Sequence, residues 1–465
     1  MRYTFQLVRF GNAMRRSYGE AFAIVLALGW LGTAAPVSAA GFQVLTAGKI
    51  ARFENRGDPA RNGGIVVVGR DRALRTLIDP TCPATSSVEF EAYLTSTFRD
   101  AVLAHVDLDC AKWSRAGSGY RYSDPNGTVG SIYYARIGLR IEVGGSGFTP
   151  IAGPVGFVQA QLTIADQTLR ARFHNFRRND AQVVWSRRPS TAAALGEAAF
   201  WDVLLGDDRS EPHEQKTRQL LERALRYDPG DGRSHFLLAM LHLYRFAQRV
   251  ERFDQVSAAA LDELSAANAA FAHAVPLLWN DAARIGDSRV AGFAAAAKYT
   301  QGALQHDDAL REQGLADLEH AVEVNSFFNV FDYIPVLQLL PPSDPFFQRA
   351  FADFTTYLTD PATLQCVGTQ PEICSNAGMA PHNIQGSLTL FGDVYAKGGN
   401  LTQATFWYNL AGAVPDTQSW LFKPIIDDRR ANAAARVALY ADADPSNDPP
   451  VIGMGAEACV NCHSR

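Results

Sequence analysis

Two cysteines and a histidine near the end of this 465-residue chain have the types and spacing for cofactor chemistry. Cys459, Val460, Asn461, Cys462 and His463 form a Cys-x-x-Cys-His pentapeptide. That spacing is the attachment sequence of a c-type haem. Two thiols two residues apart can form thioethers with the vinyl groups on one edge of a porphyrin. The histidine that follows then lies under the iron as its proximal ligand. The expectation is one covalent haem c on Cys459, Cys462 and His463, with His463 on the metal. A structural zinc site would need four ligands, and a second pair at suitable spacing is missing. A reactive dithiol would need a helix N-terminus after the cysteines to depress a thiol pKa, and only Ser464 and Arg465 follow. A plain disulfide between Cys459 and Cys462 is the alternative.

A cytochrome c domain builds most of its fold after the attachment motif. With two residues following, the expectation is a haem carried on a tail that packs against other parts of the chain or a partner. His382 is a candidate for the opposite axial position, because it stands in a Pro-flanked loop. A local capping role is its competing reading. Met379 and Met454 are further candidates, with Met454 strained by its closeness in sequence. The ligand could also come from another subunit, or the position could be open. His105, His174, His213, His235, His242, His273, His306 and His320 show no metal spacing and read as surface or packed residues.

Haem attachment takes place outside the cytoplasm, and the N-terminus independently meets that condition. Arg2, Arg9, Arg15 and Arg16 precede a short apolar run from Ala21 to Gly32, and small residues lead to Val37-Ser38-Ala39-Ala40. Residues 1–40 therefore read as a cleaved signal peptide of the ordinary secretory type. The apolar run is too short for a comfortable span of ~30 Å of hydrocarbon, and no later segment suits a transmembrane helix. The expected location is the periplasm, or beyond it the cell exterior and outer envelope. In an oxidising compartment the remaining cysteines read as disulfides, Cys82 with Cys110 and Cys366 with Cys374.

The elements that must position this chemistry fall into two classes. Residues 41–190 carry short alternating runs, such as GIVVVG (64–69), VEFEAY (88–93) and FVQAQLTI (157–164), separated by turns such as Asp124–Gly127. This predicts a β-sandwich. Glu89, Asp107 and Asp109 could be considered for calcium, but they lack a Gly-spaced ligand loop. Residues 191–440 carry apolar residues at helical spacing and predict an all-α solenoid of paired helices. Leu388, Phe391, Gly392 and Tyr395 alternate large and small on one helix, and Ala404, Tyr408 and Ala411 repeat on the next. Trp201, Ala224 and Pro229 fit the same plan earlier. A generic helical bundle is the competing reading. Residues 441–465 are then a linker and the attachment tail, with Asp442–Gly453 extended because of its prolines. The fold class expected is α+β multidomain: an N-terminal β-sandwich followed by a tetratricopeptide-like helical solenoid.

The segment APHNIQGSLTLFGDVYAKGGN and the WLFKPIIDDRRANAAARV that follows (380–437) resemble exported tetratricopeptide-like proteins of proteobacteria, some of which end in a Cys-x-x-Cys-His tail. The resemblance spans about the last third of the chain. It implies that repeat and haem tail belong together, and it implies no reaction. Residues 41–190 also loosely resemble a β module found ahead of other domains in secreted bacterial proteins.

A net charge of −5 does not favour nucleic acid or anionic membranes. The expected function is electron transfer by an exported mono-haem protein. A redox protein or a peptide would dock on the helical groove. A non-redox envelope scaffold whose tail cysteines form a disulfide is the alternative. An electron carrier or binding protein is expected rather than an enzyme, because no distal pair, Ser-His-Asp set or phosphate loop is evident.

Overall fold

The computed structural model describes residues 42–455, apart from 45–49, 55–62, 69–76, 95–98, 136–137, 146, 150–153, 166, 174–175, 180–182, 187–189, 205–207, 361–383, 443 and 453. The fold is α+β: long strands run to Ser186, helices begin at Thr191, and a short antiparallel pair, Trp279–Asn280 with Ile285–Gly286, lies among the helices. The described residues divide into two compact units. One holds the chain to Leu339 together with residues 454–455, and the other holds Leu340–Ile452. The change of element type near residue 190 thus falls within the first unit.

Thirteen strands form the β region of the first unit: β1 (Phe42–Val44), β2 (Ile50–Glu54), β3 (Gly63–Val68), β4 (Ser86–Leu94), β5 (Arg99–Leu108), β6 (Trp113–Ala116), β7 (Gly119–Ser123), β8 (Val129–Ala135), β9 (Gly138–Gly144), β10 (Val155–Ile164), β11 (Gln167–Phe173), β12 (Phe176–Asn179) and β13 (Val183–Ser186). One sheet has the order β1-β11-β10-β4-β5 and the other β12-β13-β2-β3-β9-β8-β7-β6. Neighbours are antiparallel except β1 and β11. Alternation places Val88, Phe90 and Ala92 of β4 in a single core with Phe53, Tyr122, Ile132 and Ile141 from the second sheet. This two-residue period is what a pleated strand imposes on side chains. Within that core the Trp113 indole donates to Ser86 Oγ at 3.0 Å.

Cys82 and Cys110 are joined, with Cα atoms 4.9 Å apart and a sequence separation of 28. The bridge ties the approach to β4 to the chain leaving β5, and those two strands are already paired, Ser86 opposite Leu108. Cys366 and Cys374 lie outside the described residues.

Eight helices complete the first unit: α1 (Thr191–Leu204), α2 (Glu211–Tyr227), α3 (Gly232–Gln248), α4 (Ala258–Leu278), α5 (Arg289–Gln305), α6 (Asp308–Val324), α7 (Ser326–Asn329) and α8 (Ile334–Leu339). Side chains preceding them satisfy their first amides. Asp231 accepts from Ser234 N on α3, Ser257 from Ala260 N on α4 and Asp307 from Leu310 N on α6. Strands and helices are joined by a buried cation. Arg289 has no solvent exposure. It makes two hydrogen bonds to Asp287, at 2.8 and 2.9 Å. Its guanidinium lies 5.0 Å from the Phe157 ring of β10 and 5.4 Å from Phe328 of α7. Aromatic faces and a bidentate carboxylate together make burial of that charge tolerable.

The second unit contains α9 (Pro345–Thr359), α10 (Ile384–Lys397), α11 (Leu401–Ala413) and α12 (Lys423–Ala441). Gly392 of α10 lies against the Tyr408 ring of α11, and a Cβ there would come within 2.3 Å of it. The two helices approach closely for that reason, and Ala404, Tyr408 and Ala411 are all buried. Among the described residues no helix is long and apolar enough to cross a membrane.

Asp332 is buried in the first unit, and its Oδ2 has no hydrogen-bond partner. Asn329 Oδ1 is likewise unpartnered, and a Cβ at Gly292 would fall 2.1 Å from Asp332 Oδ2 and 2.8 Å from Asn329 Oδ1. Burial pushes the Asp332 carboxyl well above the usual carboxylate range. The folded chain therefore binds a proton that the unfolded chain releases, so stability falls as pH rises above the ordinary value of about 4. Asp332→Asn should melt above the parent at neutral pH, and the gap should shrink toward pH ~4. Thermal melts across pH check this, and a pH-independent gap would contradict it. Replacing Cys82 and Cys110 together with serine should cost ~2–4 kcal/mol in a urea titration, from the chain entropy of a loop this long. An unchanged midpoint would argue against the bridge.

Candidate functional site

The five residues of the attachment motif, Cys459 to His463, lie outside the described residues, as do His382 and Met379. The structure does describe the chain that leads to the motif, and that chain is not a free linker. The expectation of an extended Asp442–Gly453 gives way to a folded strap. Pro445–Asn447 form one turn of 3-10 helix. Local side chains hold it: Asp442 accepts from Asp444 N at 2.8 Å and from Asn447 Nδ2 at 3.0 Å, and Asp444 accepts from Ser446 N at 2.9 Å. Short polar side chains that bond their own backbone favour such turns over extended chain.

Beyond the turn, the strap lies on the second unit through one buried carboxylate. Asp393 of α10 has no solvent exposure. Its Oδ1 accepts from the Tyr408 hydroxyl at 2.7 Å and from Arg436 Nη2 at 3.1 Å, and Arg429 Nε lies 3.5 Å away. Its Oδ2 accepts the Ile452 amide at 2.9 Å. The arginines in turn hold the strap's carbonyls. Arg429 Nη2 and Arg436 Nη2 donate to Pro450 O at 2.9 and 2.8 Å, and the Tyr440 hydroxyl donates to Pro449 O at 2.7 Å. Burial and the Asp393 charge both push the Tyr408 phenol up, so it stays a donor. Lys397 lies 4.0 Å from Asp448, and burial pushes its ammonium down to about 8.

Sequence reasoning named Tyr408 for its packing role and did not single out Asp393, Arg429, Arg436 or Tyr440. A signal was present: Asp393 is a lone acid in the apolar run of α10. Arg429 and Arg436 are seven residues apart, two helical turns, and so share a face of α12.

In the other unit, the last described residue before the motif is anchored to a helix end. The Gly455 amide donates to Ala247 O and Val250 O, each at 3.0 Å. Ala247 lies in the last turn of α3, where carbonyls lack helical partners. Gly455 takes a positive φ of 81°, which favours glycine. Met454, a candidate ligand in the sequence, is half-buried beside it.

The same end of α3 carries a dense ionic group. Glu263 of α4 receives His242 Nδ1 at 2.6 Å, Arg245 Nε at 2.7 Å and a contact from Arg249. Arg245 Nη1 also donates to Glu214 of α2 at 2.9 Å, and Gln248 completes Glu214 at 3.1 Å. Burial opposes ionisation of Glu263, but the bonds from His242, Arg245 and Arg249 outweigh it and hold the carboxyl well below its usual range. At Glu214 burial dominates and raises the value.

The other expected acidic candidates do local work. Glu89 pairs with His105 at 2.9 Å, and Asp109 accepts from Ala111 N at 3.0 Å. Among the described residues no three His, Cys, Asp or Glu side chains gather as a metal site.

No protein-family model matches the chain, and no curated protein or solved structure matches it either.

Removing the charge of Asp393 tests the strap. Asp393→Asn leaves two buried guanidinium groups without their anion and should cost ~3–5 kcal/mol in a urea titration. The Ile452 amide should then lose its protection from hydrogen exchange. Retained protection would show that the strap is held by something other than this carboxylate.

Proposed function

We propose that this chain is an exported mono-haem c-type protein whose role is electron transfer, with a partner docking on its helices. The observation that carries the reading is the pentapeptide Cys459-Val460-Asn461-Cys462-His463. Cys459 and Cys462 would hold the porphyrin and His463 its iron. When bound, that group supplies a one-electron couple. The chain's own contribution is position: Gly455, four residues before Cys459, is bonded to the end of α3. The basic N-terminus and apolar run of residues 1–40 support export to the periplasm or beyond. The β region reads as a β-sandwich. The large-against-small packing of Gly392 on Tyr408, with buried Trp201 and Ala224, supports a tetratricopeptide-like array as the docking surface for a redox protein or peptide.

The experiment is expression with secretion and haem-attachment machinery, followed by acid-acetone extraction and mass spectrometry. The protein should keep its colour through extraction and be heavier by one haem, and Cys459→Ser with Cys462→Ser should be colourless. A colourless parent with Cys459 joined to Cys462 would overturn this reading and favour the scaffold.

A further inference from the structure

We infer that the face of α10 and α12 beneath the strap is a binding surface for an extended acid-Pro-Pro-x-apolar peptide, and that residues 448–452 occupy it as an intramolecular competitor. The inference rests on the reading of the helices as a docking surface and deepens it by naming the partner's chemistry. It does not depend on the haem.

The first argument is the kind of contact. Main-chain groups of the strap are met by side chains of the helices. Pro449 O accepts from the Tyr440 hydroxyl at 2.7 Å, and Pro450 O accepts from Arg429 and Arg436 at 2.9 and 2.8 Å. The Ile452 amide donates to Asp393 at 2.9 Å. Proline fixes its own φ, and a residue that precedes proline is held extended. Asp448 and Pro449 both precede proline, so this stretch holds its extended form by itself. Docking of a preformed extended segment beside aromatic rings is how proline-rich peptides are recognised. Tyr440 is the ring here, with Lys397 and Arg436 lying 5.8 and 5.9 Å from its centroid.

The second argument concerns selection. Of residues 448–452 only Ile452 is fully buried, and Pro450 is exposed. Asp448 lies 4.0 Å from the Lys397 ammonium. The face therefore selects an acid at one end and an apolar side chain four residues later, with the prolines as a stiff spacer.

The third argument is that the receptor is built without the strap. Tyr408 of α11 and Arg436 of α12 bond Asp393 Oδ1, and Arg429 stands 3.5 Å from it. These contacts join helices, and a site organised before its ligand arrives loses little on binding. The strap does not exhaust the donors, since Nε of Arg429 and Nε of Arg436 are buried without a hydrogen-bond partner. The turn before the strap is held by its own Asp442 and Asp444. Release of residues 448–452 therefore leaves α12 and the turn intact. While seated, the tethered strap competes at an effective concentration of order millimolar, so a free peptide meets a blocked face.

The test uses the full-length protein and a fluorescein-labelled peptide of residues 446–452, Ser-Asn-Asp-Pro-Pro-Val-Ile, read by fluorescence anisotropy. Ile452→Ser in the chain weakens the competitor and should bind the peptide at least ~10-fold more tightly than the parent does. Asp448→Lys sets like charges together at Lys397 and should open the face by a different route. In the Ile452→Ser chain, Lys397→Glu should lose the peptide, and a peptide with Lys in place of its Asp should restore binding. Far-UV circular dichroism confirms that the variants fold. Folded Ile452→Ser and Asp448→Lys chains that bind the peptide no better than the parent overturn the inference, and so does binding that Lys397→Glu leaves unchanged. Either result leaves docking on the other helices, and the haem reading, untouched.

Discussion

The second unit depends on the burial of one carboxylate. Asp393 is fully enclosed, and an enclosed charge is tolerated only when paired and hydrogen-bonded. Arg429 and Arg436 supply the pairing, but two guanidinium groups bring more donors than one carboxylate can accept. Part of the surplus goes to the strap: Pro450 O takes a bond from each arginine, and Pro449 O takes the Tyr440 hydroxyl, while the Nε of both arginines has no hydrogen-bond partner. Prolines suit this place, since each presents a carbonyl and no amide that burial would orphan. The first later amide to be buried, that of Ile452, is met by the other oxygen of Asp393. Helix packing and the path of the strap are thus one electrostatic arrangement.

The first unit applies the same rule twice. Arg289 is enclosed between Phe157 and Phe328 and neutralised by Asp287. Glu263 is half-buried and held by His242, Arg245 and Arg249. In the Arg289 site the charge is consumed by its carboxylate and flanking rings, and the arrangement joins strands to helices. In the Glu263 site one carboxylate ties α3 to α4 through His242 and Arg245.

The parts of the fold that follow from periodicity were legible in the sequence. The alternation of VEFEAY became the core-facing Val88, Phe90 and Ala92 of β4, and the large-small spacing of residues 388–411 became the close approach of α10 and α11. The bridge from Cys82 to Cys110 was legible on the expectation of an oxidising compartment, in which paired cysteines form disulfides. The linker was misread. Prolines and aspartates after α12 suggest extended chain, and nothing local reveals that two arginines on α12 need their carbonyls. The contact of His242 with Glu263 was not legible for a related reason: the two stand 21 residues apart, and only the packing of α3 on α4 brings them together.

The anchor at Gly455 changes what a terminal motif can do. From the end of α12 at Ala441, eighteen residues lead to Cys459. As flexible chain they would wander ~20–25 Å, and a redox group on such a tether would meet a partner in no fixed orientation. From Gly455 only four residues remain, with at most ~14 Å of reach. The two backbone bonds from Gly455 to Ala247 and Val250 fix the last described residue on the end of α3, four residues before Cys459.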